Sequence, residues 1–220
     1  MKKTFLFALI TLNFFACSQK KITEGVLLQK QTMTSSNEQM NTRLKGIDPI
    51  TTTIYFKGSA SRAELLHPMM GESTTIIDTQ KNKMMVLVNN AMAGKKYATK
   101  SIELSDDELK NITVKESTET KVILGYTCKK YGITLQDKGV TTKIIVFTTD
   151  KLNVPTKKNI LYGNKVKGFP MLMEITSIKM GSEMTITIET TEIKTQKVAD
   201  AKFDMTNTEG FEKTDKIFGM

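Results

Sequence analysis

The run Met184-Thr185-Ile186-Thr187-Ile188-Glu189 alternates apolar and polar residues without a break. Successive side chains of a strand point to opposite faces, so Met184, Ile186 and Ile188 share one face while Thr185, Thr187 and Glu189 share the other. A helix would wrap the same residues around a 3.6-residue turn and mix the two sets. Just upstream, Met171, Met173 and Ile175 oppose Leu172, Glu174 and Thr176, with Leu172 the one apolar residue on the polar side. Met180-Gly181 lies between the two runs and reads as a turn, which makes residues 171–179 and 184–195 a long hairpin. One apolar face and one wetted face is the pattern of an antiparallel sheet packed on one side.

The same pattern extends over most of the chain. Strands are expected at 24–34, 50–57, 61–66, 73–79, 83–92, 95–100, 112–117, 120–124, 127–136 and 140–149. They are rich in Thr, Ile, Val, Met and Tyr and are separated by turn residues. A short helix is expected over 37–45, capped by Ser36 or Asn37, with Met40 and Leu44 on one face and Gly46 at its end. A second is expected at Ser105-Asp106-Asp107-Glu108, which has the S-x-x-E form of a capping box. Residues 150–170, with Pro155, Gly163, Gly168 and Pro170, read as loop. The fold class is mainly β: a curved antiparallel sheet around an interior, with one or two short covering helices.

The chain has 220 residues, 39% hydrophobic and 25% charged, with a formal net charge of +9. This is a globular composition sufficient for a single domain, here residues 24–220. The lysines are interspersed with acids, so the charge reads as a solvated basic surface, with affinity for anionic headgroups the next reading. No nucleic-acid motif or run of stacking aromatics is present, and no nucleic-acid partner is expected.

Residues 1–16 read as a signal peptide: Lys2 and Lys3 precede an apolar stretch from Phe5 to Phe15, too short to span a bilayer. Ala16-Cys17 supplies the small residue and cysteine of a lipoprotein signal, with Phe14 in place of the usual leucine. Cleavage before Cys17 and lipidation of that cysteine are therefore expected. Residues 17–23 then form the tether, and the partner is a membrane. More than one acyl chain on that cysteine makes a stable anchor. The absence of aspartate at position 18 favours the outer membrane. The one other cysteine, Cys128, is expected to be a buried inert thiol.

Catalytic signatures are missing. His67 is the one histidine, no G-x-S-x-G elbow occurs, and no phosphate-cradling glycine loop appears. No enzyme activity, cofactor or resident metal is expected. The 14 methionines are unusual. His67-Pro68-Met69-Met70 is the best local arrangement for a soft metal such as Cu(I), but gap-filling in the core accounts for most of the methionines. Tyr126, Tyr131 and Tyr162 read as half-buried tyrosines, and Lys165 and Lys167 as loop lysines able to meet a headgroup.

Four ordered segments carry a family resemblance: Ile54-Tyr55-Phe56-Lys57-Gly58 with Ser61-Arg62; Leu124-Gly125-Tyr126-Thr127-Cys128-Lys129-Lys130; Val154-Pro155 with Lys167-Gly168-Phe169-Pro170; and Val198-Ala199-Asp200-Ala201-Lys202-Phe203. Together, over roughly residues 24–212, the chain resembles the bacterial family catalogued as domain of unknown function 4412. That family is similar to the lipoprotein-carrier fold, an antiparallel half-barrel with an apolar concave face. The resemblance implies a hydrophobic-ligand cavity and no catalytic residues. Among the apolar strand positions, Met84, Val86, Ile145, Phe147, Met171, Met173, Ile186 and Ile188 are the expected lining.

Two functions follow as expectations. One is an envelope lipoprotein that binds a lipid, acyl chain or other hydrophobic molecule. The other is a structural lipoprotein with a solid core that binds another envelope protein, for example along a sheet edge.

Overall fold

The computed structural model describes residues 20–47, 49–67, 71–91, 94–103, 109–137, 139–156, 162, 165–179 and 181–215. It is 64% strand and 8% helix. In chain order the elements are β1 (Glu24–Ser35), α1 (Glu38–Lys45), β2 (Ile50–Lys57), β3 (Ala60–His67), β4 (Gly71–Asp78), β5 (Lys83–Asn90) and β6 (Gly94–Ser101). There follow β7 (Ile112–Ile123), β8 (Tyr126–Asp137), β9 (Val140–Thr149), β10 (Phe169–Lys179), β11 (Ser182–Lys194), a 3-10 turn (Asp200–Phe203) and β12 (Glu212–Lys213).

All twelve strands belong to one sheet, ordered β12-β6-β5-β4-β3-β2-β1-β11-β10-β9-β8-β7. Two meanders, β1–β6 and β7–β11, meet at the antiparallel pair β1–β11. Among the described strands, the two-residue β12 pairs in parallel, with β6, and the others pair antiparallel. The connectivity accounts for the curvature. β6 and β7 follow one another in sequence but stand ten strand spacings apart, about 48 Å in a flat sheet. The chain from Ser101 to Ile112 can reach at most about 40 Å. The sheet must therefore curl toward its own edges, and it is curved and unclosed.

Register separates the inner face from the outer. One row runs Leu27, Ile54, Ala63, Thr75, Val86, Ala98 across six strands. A second runs Ile186, Ile175, Ile144, Ile133, Val114 across the other meander. Apart from Ile186, the second row belongs to a cluster in which Tyr131, Ile133, Ile144, Val146 and Met173 are buried beneath Tyr162 and Val166. Tyr162 and Val166, from the segment between β9 and β10, thus cover this part of the interior, a role the residue pattern assigned to short helices. α1 packs on β1, capped as expected by the Asn37 side chain on the Met40 amide, but buries no residue fully. The second expected helix, at 105–108, lies outside the described residues; 109–110 are helical.

Two further expectations are corrected. Residues 112–117 and 120–124 are one strand, β7, with an irregularity between Glu116 and Thr120. Its end is a two-residue turn, Leu124-Gly125, with φ of 49° and 80°. The twist of a hairpin calls for left-handed residues there, which takes Leu124 out of the strand and leaves it 48% exposed.

The segment after β11 braces the outer face. The Val198 amide donates to Glu24 Oε1 at 2.8 Å, Lys202 Nζ lies 4.1 Å from the Tyr55 ring centroid, and Lys202 and Arg62 both meet Glu64 Oε1. Partial burial alone would raise the Glu64 carboxyl, but hydrogen bonds from Arg62 and Lys202 outweigh it and hold the group below the ordinary carboxylate range.

Candidate functional site

The inner face is apolar at β8–β10, but on β1–β4 its inward positions include Gln29, Gln31, Thr52 and Thr75. Such residues do not form a dry core, and the packing leaves a groove there. Ile54, Ala63, Leu65 and Ile77 complete its floor, and Pro155, Thr156, Phe169, Pro170 and Ile188 form its wall. The groove has a volume of about 250 Å³ and is open to solvent along part of its length. No charged side chain lines it among the described residues.

The wall is held by backbone and side-chain bonds. Ile22 and Leu152 form a parallel bridge, in which the Ile22 amide donates to Lys151 O at 2.8 Å and the Asn153 amide to Ile22 O at 2.9 Å. Asn153 Nδ2 donates to Gly58 O at 3.0 Å, and the Ser61 hydroxyl donates to Pro155 O. On the far side, Thr148 Oγ1 donates to Lys167 O at 2.6 Å. Gly168 has φ of 89°, and a Cβ there would meet Thr149 O at 2.6 Å. Both constraints favour glycine. The segment 150–156 is therefore a strap fixed at both ends, and its Pro155-Thr156 portion leans over the groove.

Of the eight expected lining residues, Ile188 lies in the groove. Met84 and Val86 are buried in a separate cluster with Ile77. Met171 joins the cluster around Phe56 and Phe169, Met173 the cluster under Tyr162, and Ile186 is half-buried in the row beside it. Ile145 and Phe147 alternate in register with Ile144 and Val146, and Phe147 is buried in the cluster around Phe56 and Phe169. The partners of Ile145 are Gly132 and Glu174 and those of Phe147 are Lys130 and Leu172, whereas Ile144 and Val146 lie in the cluster under Tyr162. Ile145 is 38% exposed, while Phe147 is buried with Lys121 and Lys130 within 6 Å of its ring centroid. The run Ile144-Ile145-Val146-Phe147 is apolar throughout, so alternation could not assign its faces. Groove residues missed in the sequence had one available signal. Neutral polar residues occupy inward positions of β1, β2 and β4, next to inward apolar ones such as Leu27, Ile54 and Ile77.

The other side chains of interest serve structure. Tyr131 and Tyr162 are each 3% exposed, and the Tyr162 hydroxyl donates to Met173 Sδ at 3.7 Å. Lys165 Nζ donates to Leu109 O and Ile112 O. Cys17 and residues 68–70 lie outside the described residues. Among the described residues no group of three or more His, Cys, Asp or Glu could hold a metal ion, and no helix is long and apolar enough to cross a membrane.

Cys128 is wholly buried, and burial pushes its thiol up from an ordinary value near 9 to about 11. In a chain carrying Cys17→Ser, the native protein at pH 8 is expected to resist a thiol-reactive dye that labels the denatured chain promptly. Labelling of native protein at the rate of a free peptide thiol would contradict this placement. The raised value also makes the thiol's contribution to stability complete below about pH 9 and lost as the pH rises through about 11.

No family model matches the chain, and no curated protein matches it. Among solved structures it is similar to PNGF-II in two crystal forms. The C2 form gives a TM-score of 0.48 at 16% identity and the P21 form 0.49 at 14%. In both, the match covers 86% of this chain and 31% of PNGF-II.

Proposed function

We propose that this chain is an exported envelope lipoprotein, cut before Cys17 and anchored by lipid on that cysteine. Its β domain holds an uncharged, largely apolar molecule such as a lipid or acyl chain, without catalysis. The outer membrane is the favoured location, and the domain of unknown function 4412 the family.

One observation carries the binding reading. A quarter of the residues are charged, yet among the described residues none lines the groove. A surface concavity on such a chain would ordinarily collect lysines and acids. An ionised ligand held there would lose hydration with no opposite charge to replace it, whereas an alkyl chain gains from contact with Ile54, Leu65, Ile77 and Phe169. The groove is slightly smaller than the ~300 Å³ lower end of ligand pockets. It suits one segment of an acyl chain, with the remainder leaving by the open side.

The second reading, a solid lipoprotein that pairs with another protein along a sheet edge, is less well supported. Edge strand β7 is interrupted between Glu116 and Thr120 and carries Lys115, Glu116, Glu119 and Lys121. Charges and irregularities of this kind discourage strand addition.

Titration of the purified mature chain carrying Cys17→Ser, so that no covalent lipid competes, with a fluorescent fatty acid tests the proposal. Saturable uptake of one probe per chain with micromolar or tighter affinity is expected. A linear, non-saturating signal would reject it.

A further inference from the structure

A second concavity lies across the strap from the groove. It has a volume of about 640 Å³, and Pro155 and Thr156 line both spaces. The two also meet along β3: Ser61 lines the groove, and Ser59, two residues earlier in the β2–β3 turn, lines the cleft. Two residues span at most about 7 Å. The cleft differs in chemistry. Among the described residues its lining includes Ser59, Thr79, Gln80 and Asn153 together with the cation Lys21 and the anion Asp150, which also lies 3.8 Å from Lys151 Nζ.

We propose that groove and cleft together form a single site for a zwitterionic phospholipid, with an acyl chain in the groove and the headgroup in the cleft. The inference rests on the hydrophobic-ligand reading above and names the ligand class. A headgroup of the ethanolamine type carries a phosphate and an ammonium. Lys21 meets the first and Asp150 the second, and the neighbouring hydroxyls and amides supply hydrogen bonds to the phosphate oxygens. An anionic headgroup would satisfy Lys21 while bringing a second negative charge toward Asp150. Among the described residues, a groove lined by no charge beside a cleft that offers charges of both signs matches the two ends of one amphiphile.

Position agrees with chemistry. Lys21 is four residues beyond Cys17, so the cleft opens within about 14 Å of the proposed lipid attachment. Headgroups at a membrane surface would lie beside it. The strap is held to Ile22 and Gly58 by the bonds described above, so the cleft is built on the segment that carries the tether.

The test uses the mature chain carrying Cys17→Ser, so that its own lipid does not compete. Binding is measured calorimetrically for three monomeric probes. These are a short-chain phosphatidylethanolamine, a phosphatidylglycerol with the same acyl chains, and an uncharged long-chain alcohol that reads the groove alone. The ethanolamine lipid is expected to bind at least tenfold more tightly than the glycerol lipid. Lys21→Glu and Asp150→Lys should each erode that ratio to twofold or less, with thermal unfolding showing that both variants remain folded. Equal affinity for the two phospholipids, or a preference for the anionic one, would overturn the inference. The hydrophobic-ligand reading would survive either result if the alcohol still bound. Loss of all three ligands, alcohol included, would remove both.

Discussion

Replacing Ala63 with tryptophan is expected to abolish ligand uptake, by at least a hundredfold in affinity, while leaving the domain folded. Ala63 sits in mid-strand on the groove floor, between Ile54 on β2 and Thr75 on β4. An indole projecting from that position occupies the space an acyl chain would use. Phe169 and Pro170 line the same groove and Ala63 packs against the cluster that holds Phe169, so apolar surface is at hand for the indole. Strands accept tryptophan readily, and the groove is open on one side, so the larger side chain can be accommodated without forcing the strands apart. Thermal unfolding of Ala63→Trp should stay within a few degrees of the parent, and titration with the fluorescent fatty acid should show no saturable phase. Undiminished uptake by the folded variant would place the ligand elsewhere.

Phe56→Ala is expected to destabilise the domain severely. Phe56 is fully buried among Leu27, Ile54, Phe169 and Met171. Its ring comes close to the backbone of Gly25, with Cζ 3.2 Å from where a Cβ would stand. Gly25 also abuts Lys194 O on β11, so the ring packs where β1, β2 and β11 come together. Removing it leaves a cavity that the twisted strands cannot close. Such truncations cost about 3–5 kcal/mol, a large share of the roughly 5–15 kcal/mol that holds a domain folded. The urea midpoint should fall accordingly with an unchanged slope. A loss below about 1 kcal/mol would mean that the ring is not central to the core.

Much of the sheet was legible because alternation is a strong signal when one face is wet. The β10–β11 hairpin, the β4–β5 and β8–β9 hairpins and the cap of α1 all lie where residue patterns placed them. The division of β7 failed because Ser117, Thr118 and Glu119 resemble a turn, although an edge strand can absorb them as an irregularity. The groove was harder to see. Leu27, Ile54 and Ile77 are visible as apolar positions, but their meeting with Gln29, Thr52 and Pro155 depends on cross-strand register and on a strap contributed from about a hundred residues away. Continuous apolar runs, Ile144–Phe147 above all, carry no face information, so alternation could not separate the 38% exposed Ile145 from its buried neighbours. The small strand β12 and the 3-10 turn at Asp200–Phe203 follow from tertiary contacts with β6, Tyr55 and Glu64, which local propensity does not encode.

Native mass spectrometry of residues 18–220, which lack the lipidated cysteine, purified from the producing cells without detergent and compared with Ala63→Trp prepared alongside, tests the central claim most directly. The parent is expected to carry a reproducible added mass that organic extraction identifies as lipid, and the variant to fly at the mass of the polypeptide alone. A parent that shows only its polypeptide mass, and takes up neither fatty acid nor phospholipid when these are supplied, would contradict the account.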